Sequence, residues 1–242
     1  MTKVLIYSSI TGLSLFAGAY LGLLLNLKQK ILAGIMAFGS GVLVCALTFG
    51  LMEEAFNLGG FDAVLFGFFF GGIVFILGDY IILGLGGRSH KDQGKKVKVG
   101  ANGVAIAFGA LIDGIPESIA LGIALFSNSG LGLLMLIAIA LSNFPEGISS
   151  VKGLVREGYR RWQILLIWSF VALSVIVVTI LSFKFLGNLN GNTVGILESF
   201  AAGAILAMLA DAMMPEAFED GGAVIGILTV LGFMLAFIIQ KI

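Results

Sequence analysis

Long apolar stretches separated by short polar ones run the whole length of this 242-residue chain. Eight can be discerned, at 4–27, 31–52, 63–86, 101–126, 130–151, 163–186, 193–218 and 222–240. Each approaches the ~20 residues that a helix needs to cross hydrocarbon. The apolar positions are continuous rather than alternating, so helices are predicted and a membrane barrel is disfavoured. The first run follows Lys3 as a signal peptide would. It is too long for one, and no small-x-small cleavage site precedes a soluble domain. The pattern therefore predicts an all-α polytopic membrane protein with eight transmembrane helices, forming one membrane domain over 1–242.

Composition narrows the class. Apolar residues make up 59% of the chain and charged residues 12%, about half the usual quarter. That excludes a soluble globular domain and a disordered chain. A net charge of zero gives no field for nucleic acid, so the lipid bilayer is the expected surrounding partner. Cys45 is the only cysteine, which excludes a disulfide framework and thiolate metal clusters.

The basic residues set an orientation. Lys28, Lys30, Arg88, Lys91, Lys95, Lys96, Lys98, Lys152, Arg156, Arg160 and Arg161, 11 of 14, lie in the connections after runs one, three and five. Lys3, Lys184 and Lys241 lie on the other side. The positive-inside rule then puts those connections in the cytoplasm and both termini outside the cell membrane. The longest connection, 87–100, holds the only histidine, His90, and reads as a solvated basic connector. Tyr159, Trp162 and Trp168 read as an interfacial anchor, and Asp79 and Glu198 as interfacial acids. Small residues at Gly18/Gly22, Gly67/Gly71 and Ala201/Gly203/Ala207 read as close helix contacts.

Two internal repeats stand out. Gly41, the segment Met52-Glu53-Glu54-Ala55-Phe56 and Gly59-Gly60 recur as Gly203, Met214-Pro215-Glu216-Ala217-Phe218 and Gly221-Gly222, at a constant offset of 162. Pro116-Glu117 recurs as Pro145-Glu146, at an offset of 29. In both cases the two copies lie on spans that run in opposite directions. Inverted repeats of this kind imply a 3+2+3 arrangement with a site at mid-membrane between the halves.

The chemistry gathers at the prolines. Pro116, Pro145 and Pro215 are the only three, and each precedes a glutamate. Proline inside a helix frees the carbonyl four residues earlier, which sets an unpaired oxygen beside a carboxylate. Asp113 and Glu117 share a face of span four at i, i+4, and Ser142 and Asn143 share one with Glu146 on span five. Carboxylates in hydrocarbon cannot all stay ionised without a positive partner. No lysine or arginine lies near them in either run, so the countercharge is a cation or protons. The all-oxygen set of Asp113, Glu117, Asn143, Glu146 and Ser142 suits hard or borderline divalent metals. Asp211 and Glu216 on span seven are weaker pathway candidates, and Glu54 and Glu216 are matching vestibule carboxylates. The competing reading is a structural cluster of protonated carboxyls.

These residues resemble the ZIP (Zrt/Irt-like) family of divalent-metal transporters. Asn143-Phe144-Pro145-Glu146-Gly147 is similar to that family's span-five N-x-P-E-G signature, and Pro116-Glu117 sits where span four has H-N-x-P-E-G. Met214-Pro215-Glu216-Ala217 is similar to its span-seven ending. The resemblance implies uptake of zinc, or of iron or manganese, as transported cargo with no prosthetic group and no enzymatic activity. It implies metal-ligand roles for Asp113, Glu117, Ser142, Asn143 and Glu146, and a homodimer, for which no span shows an unambiguous face. Asp113 replaces the family's histidine, Gly114 its asparagine and Ser142 its usual His or Gln. These departures favour one main site and weaken strict zinc selectivity. The alternatives are a proton- or sodium-coupled carrier using the same carboxylates, an intramembrane metalloenzyme, and a structural membrane protein. The metalloenzyme is opposed by the lack of a His pair at catalytic-zinc spacing.

Overall fold

A computed structural model describes residues 1–25, 27–84, 103–126, 130–186 and 189–241. The connector 87–100, with His90 and five of the orienting basic residues, lies outside them. Among the described residues the chain is helical, with no strand. Seven helical stretches are long and apolar enough to cross a membrane, as a polytopic membrane protein requires.

The elements in order are α1 (Thr2–Leu24), α2 (Gln29–Ala46), a first π turn (Leu47–Met52), α3 (Glu53–Gly84), α4 (Gly103–Phe126), α5 (Leu131–Arg156) and α6 (Arg161–Leu186). They continue with α7 (Gly191–Met208), a second π turn (Leu209–Met213), α8 (Met214–Gly221) and α9 (Val224–Lys241). The count of seven arises because Gln29–Ile81 forms one 53-residue stretch. At 1.5 Å per residue that would measure ~80 Å, against ~30 Å of hydrocarbon. The stretch is interrupted at Gly60, whose φ of 68° and ψ of −166° are not helical. The polar segment Glu53-Glu54 that reads as a span end is thus helical, and the chain turns only at the glycine.

The 162-residue offset reappears in the backbone. The first π turn begins at Leu47 and the second at Leu209. Gly60 has its counterpart in Gly222, with φ 69° and ψ −152°. Only glycine reaches such φ/ψ pairs at low cost. Pro215 follows the second π turn, whereas Glu53 holds the equivalent place after the first. Proline is therefore not what makes these turns. In the first, the Phe49 carbonyl accepts a hydrogen bond from Gln240 Nε2 on α9, and the Phe49 ring packs on Phe237 at 5.2 Å and Phe233 at 6.2 Å.

Packing pairs the helices in a pattern that follows the same symmetry. α3 lies along α7 and α2 along α9, while α1 packs on α5 and α6, and α4 on α6. The expected small-residue contacts are present. A Cβ on Gly203 would come within 2.8 Å of the Phe68 carbonyl carbon, and one on Gly41 within 2.8 Å of the Phe233 nitrogen. With no hydrophobic drive between helices in lipid, such close backbone approach supplies the dispersion contacts that hold them. Leu43, Leu51, Leu121, Met135, Ile139 and Ile205 fill the central core. Apolar side chains such as Phe66, Phe69, Phe170, Leu173, Ile227 and Val230 are exposed and form the lipid-facing perimeter.

Two aromatic and acidic assignments are corrected here. Trp162 is exposed, but Trp168 is fully buried with Leu15, Leu154 and Ile164; it is one face further round α6 and packs inward rather than anchoring at the interface. Glu198 is also fully buried, not interfacial. It shares the inward stripe of α7 with Val194, Ala201 and Ile205.

Gly203→Leu is expected to destabilise the purified protein by ~1–3 kcal/mol through overpacking against Phe68. Gly226, whose added Cβ would meet nothing within 4 Å, should accept alanine with a gain of up to ~1 kcal/mol. Thermal unfolding in detergent reads both; equal effects would show that backbone contact at Gly203 is unimportant.

Candidate metal site

The site is built where α4 and α5 meet, each carrying a proline in its interior. Ser118 Oγ, one residue past Glu117, donates to the Gly114 carbonyl at 2.6 Å. On α5, Ser149 Oγ donates to the Pro145 carbonyl at 3.0 Å and Ser150 Oγ to the Glu146 carbonyl at 2.6 Å. Serine hydroxyls thus supplement the backbone ladder around both prolines. These acceptors differ from the two carbonyls that the prolines free, those of Ile112 and Leu141.

Asp113, Glu117, Ser142 and Asn143 are all buried, none more than 5% exposed. Ser142 Oγ donates to Glu117 Oε1 at 3.1 Å and also lies 3.0 Å from the Ile139 carbonyl. A hydroxyl has one proton, so the serine divides it between a carboxylate across the interface and its own helix. Asn143 Nδ2 donates to the Thr11 carbonyl on α1 at 3.3 Å. That bond commits the amide nitrogen to α1 and leaves Oδ1 as the atom of ligand type.

The glycine of the Asn143–Gly147 motif has a packing role. A Cβ on Gly147 would come within 2.9 Å of the Ala19 nitrogen, and one on Gly18 within 3.2 Å of the Phe144 carbonyl carbon. Gly18 and Gly147 therefore press α1 against α5 beside Pro145-Glu146. The Thr11 carbonyl and this glycine contact were not found from the sequence. The recurrence Gly18/Gly22 signals a close contact without naming its partner.

Not every candidate gathers at one point. Glu146 is half-buried, one turn beyond Ser142. Among the described residues no three His, Cys, Asp or Glu side chains stand close enough to hold an ion, so Asp113, Glu117 and Glu146 do not meet as a trio. Asp211 lies in the second π turn and Glu216 on α8, both half-buried, in a segment that packs chiefly on α2 and α7. What the α4–α5 region does offer is two buried acidic side chains on one face of α4, the Ser142 hydroxyl opposite, and on the next residue a buried amide that bonds to α1. All four supply oxygen donors of the kind that hard and borderline divalent cations take.

The family model of the ZIP zinc transporters matches residues 84–240, nearly two thirds of the chain. No curated protein matches it. The matched region takes in α4 to α9, with both Pro-Glu helices, and leaves most of α1–α3 outside. Those helices are tied to it by the 162-residue offset, which the paired π turns and the glycines Gly60 and Gly222 carry into the backbone. The chain belongs to the ZIP zinc transporter family, a family of metal-transporting membrane proteins and not of enzymes.

Proposed function

We propose that this protein moves a divalent metal cation from outside the cell into the cytoplasm through a mid-membrane site between α4 and α5. Asp113, Glu117, Asn143 and Glu146 supply the cage, with Ser142 beside it. The observation that carries this reading is the hydrogen bond from Ser142 to Glu117, which joins the two Pro-Glu helices at a point where Asp113 and Asn143 are also buried. Glu146 completes the cage by a small movement of α5 against α4 as the ion sheds its water. Zinc is the first cargo. Asp113, standing where the resemblance expects a histidine, opens the site to Mn²⁺ or Fe²⁺ as well.

In this reading the break at Gly60 separates two spans, giving eight in all, arranged 3+2+3 with α1–α3 inverted relative to α6–α9. The packing pairs support it, since exchanging α1 with α6, α2 with α7, α3 with α9 and α4 with α5 turns the α3–α7 pair into α9–α2 and the α1–α5 pair into α6–α4. The same pairs suggest that access alternates by movement of α1 with α4–α6 against α2, α3, α7 and α9. Asp211 and Glu216 then line the cytoplasmic way out, opposite Glu54 on the outer side. Single cysteines at Asp62 and Ala223 in a Cys45→Ala background should react with impermeant reagents from opposite sides of the membrane. Labelling from one side only would refute the inverted arrangement.

Proteoliposomes test the site. Glu117→Gln and Glu146→Ala should each lower zinc uptake ~10-fold or more at equal reconstitution, as loss of a ligand does. Undiminished uptake in either variant would rule out the cage as drawn. Asp113→His should raise the preference for Zn²⁺ over Mn²⁺ in competition uptake, because imidazole suits zinc and carboxylate suits manganese. An unchanged ratio would remove Asp113 from the metal's ligands.

A further inference from the structure

A cavity of about 760 Å³ lies where the end of α1 meets the junction of α5 and α6. Lys152 of α5 lines it together with Arg160 and Arg161 at the start of α6, and Leu24, Leu25 and Val155 give it an apolar side. Among the described residues no acidic side chain lines it. Three positive charges around one cavity repel one another, and an anion between them removes that cost. At ~30 Å³ per water the space would take about 25 waters, so it admits a phosphate together with part of the molecule that carries it.

The fold shapes this cavity. A Cβ on Gly22 would come within 3.0 Å of the Ile148 carbonyl oxygen and 3.3 Å of Val151 Cβ, so the last turn of α1 lies on α5. Beyond α5 the chain turns back at Gly158, whose φ is 88°. There the Gly158 and Tyr159 N–H groups donate to the Val155 and Leu154 carbonyls, each at 3.1 Å. The turn brings Arg160 and Arg161 to the same cavity as Lys152. Lys152 Nζ donates to Gln29 Oε1 at 2.6 Å and to the Leu27 carbonyl at 3.3 Å, which leaves one of its three N–H donors. The Lys152 charge also acts on the Asp220 carboxyl, but Asp220 does not line the cavity.

The surroundings decide which anion fits. Trp162, next to Arg161, is exposed, and indoles in that position sit at the level of lipid headgroups. Leu24, Leu25 and Val155 are 55%, 46% and 51% exposed. A free phosphate has no use for that apolar surface, whereas a phosphate carrying acyl chains covers it. Under the positive-inside orientation the cavity faces the cytoplasmic leaflet, where basic pockets between helices meet anionic headgroups. We propose that Lys152, Arg160 and Arg161 bind the phosphate of an anionic membrane lipid, whose acyl chains lie along Leu24, Leu25 and Val155. The site uses none of the residues assigned to the mid-membrane cage, so the outcome of the uptake measurements does not bear on it.

Native mass spectrometry tests this on the full-length protein, released from nanodiscs made of equal parts phosphatidylglycerol and phosphatidylcholine. Wild type should retain phosphatidylglycerol in preference. Arg160→Gln/Arg161→Gln should lower that preference ~10-fold or more, and Lys152→Gln alone ~5-fold, as loss of basic contacts at the membrane surface does. Lys28→Gln/Lys30→Gln removes the same charge from the preceding basic connection, outside the cavity, and should leave the preference within about 2-fold. An equal loss in the two double variants would reduce the effect to general surface charge and overturn the proposal. So would an unchanged preference in both Lys152→Gln and Arg160→Gln/Arg161→Gln. Inorganic phosphate at millimolar concentration should fail to displace the retained lipid; displacement would make free phosphate the occupant and overturn the assignment to lipid.

Discussion

A carboxylate in hydrocarbon has to be neutralised or hydrogen-bonded, and the chain that holds it can call on no water to do so. That constraint orders the interior of this protein. Glu117 receives the Ser142 hydroxyl from the facing helix, and Asn143 is fixed by the Thr11 carbonyl of a third. The second bond could not form unless α1 lay close against α5. Gly18 and Gly147 bring α1 and α5 that close. The glycines are thus part of the electrostatics as much as of the packing, because a methyl group at either position would push a polar partner out of reach.

The apolar helices were legible because their signal is length, which a continuous apolar run displays directly. The ends were less so. Glu53 and Glu54 read as the polar end of a span, yet they open α3, because a cavity solvates them without unwinding the helix. The π turns left no local trace. Leu47–Met52 contains no proline and no unusual residue, and the side chain that bonds to its Phe49 carbonyl, Gln240, lies almost 200 positions away. The repeat offset, by contrast, was plain in the sequence, and it foretold the backbone: Gly60 and Gly222 share one conformation because they occupy one place in the repeat.

For the site, helical spacing set Asp113 and Glu117 on one face of α4, where both are buried, since i and i+4 is a local property. Joining Glu146 to Asp113 and Glu117 is a tertiary property, set by how far α5 is rotated about its axis, and spacing along one helix cannot report that. Trp168 and Glu198 were misread for the same reason. Each lies within a turn or two of a helix end, where depth alone suggests the interface. Rotation decides instead, and both residues fall on the stripe that faces the core.

The division of the helices gives these placements a consequence. Asp113, Glu117, Asn143 and Glu146 all belong to α4 and α5, which pack with α1 and α6, whereas Glu54 and Glu198 belong to α3 and α7, which lie along one another. Contacts of α2 with α5 and of α4 with α7 join the groups, and they are the surfaces that must slide if the groups move.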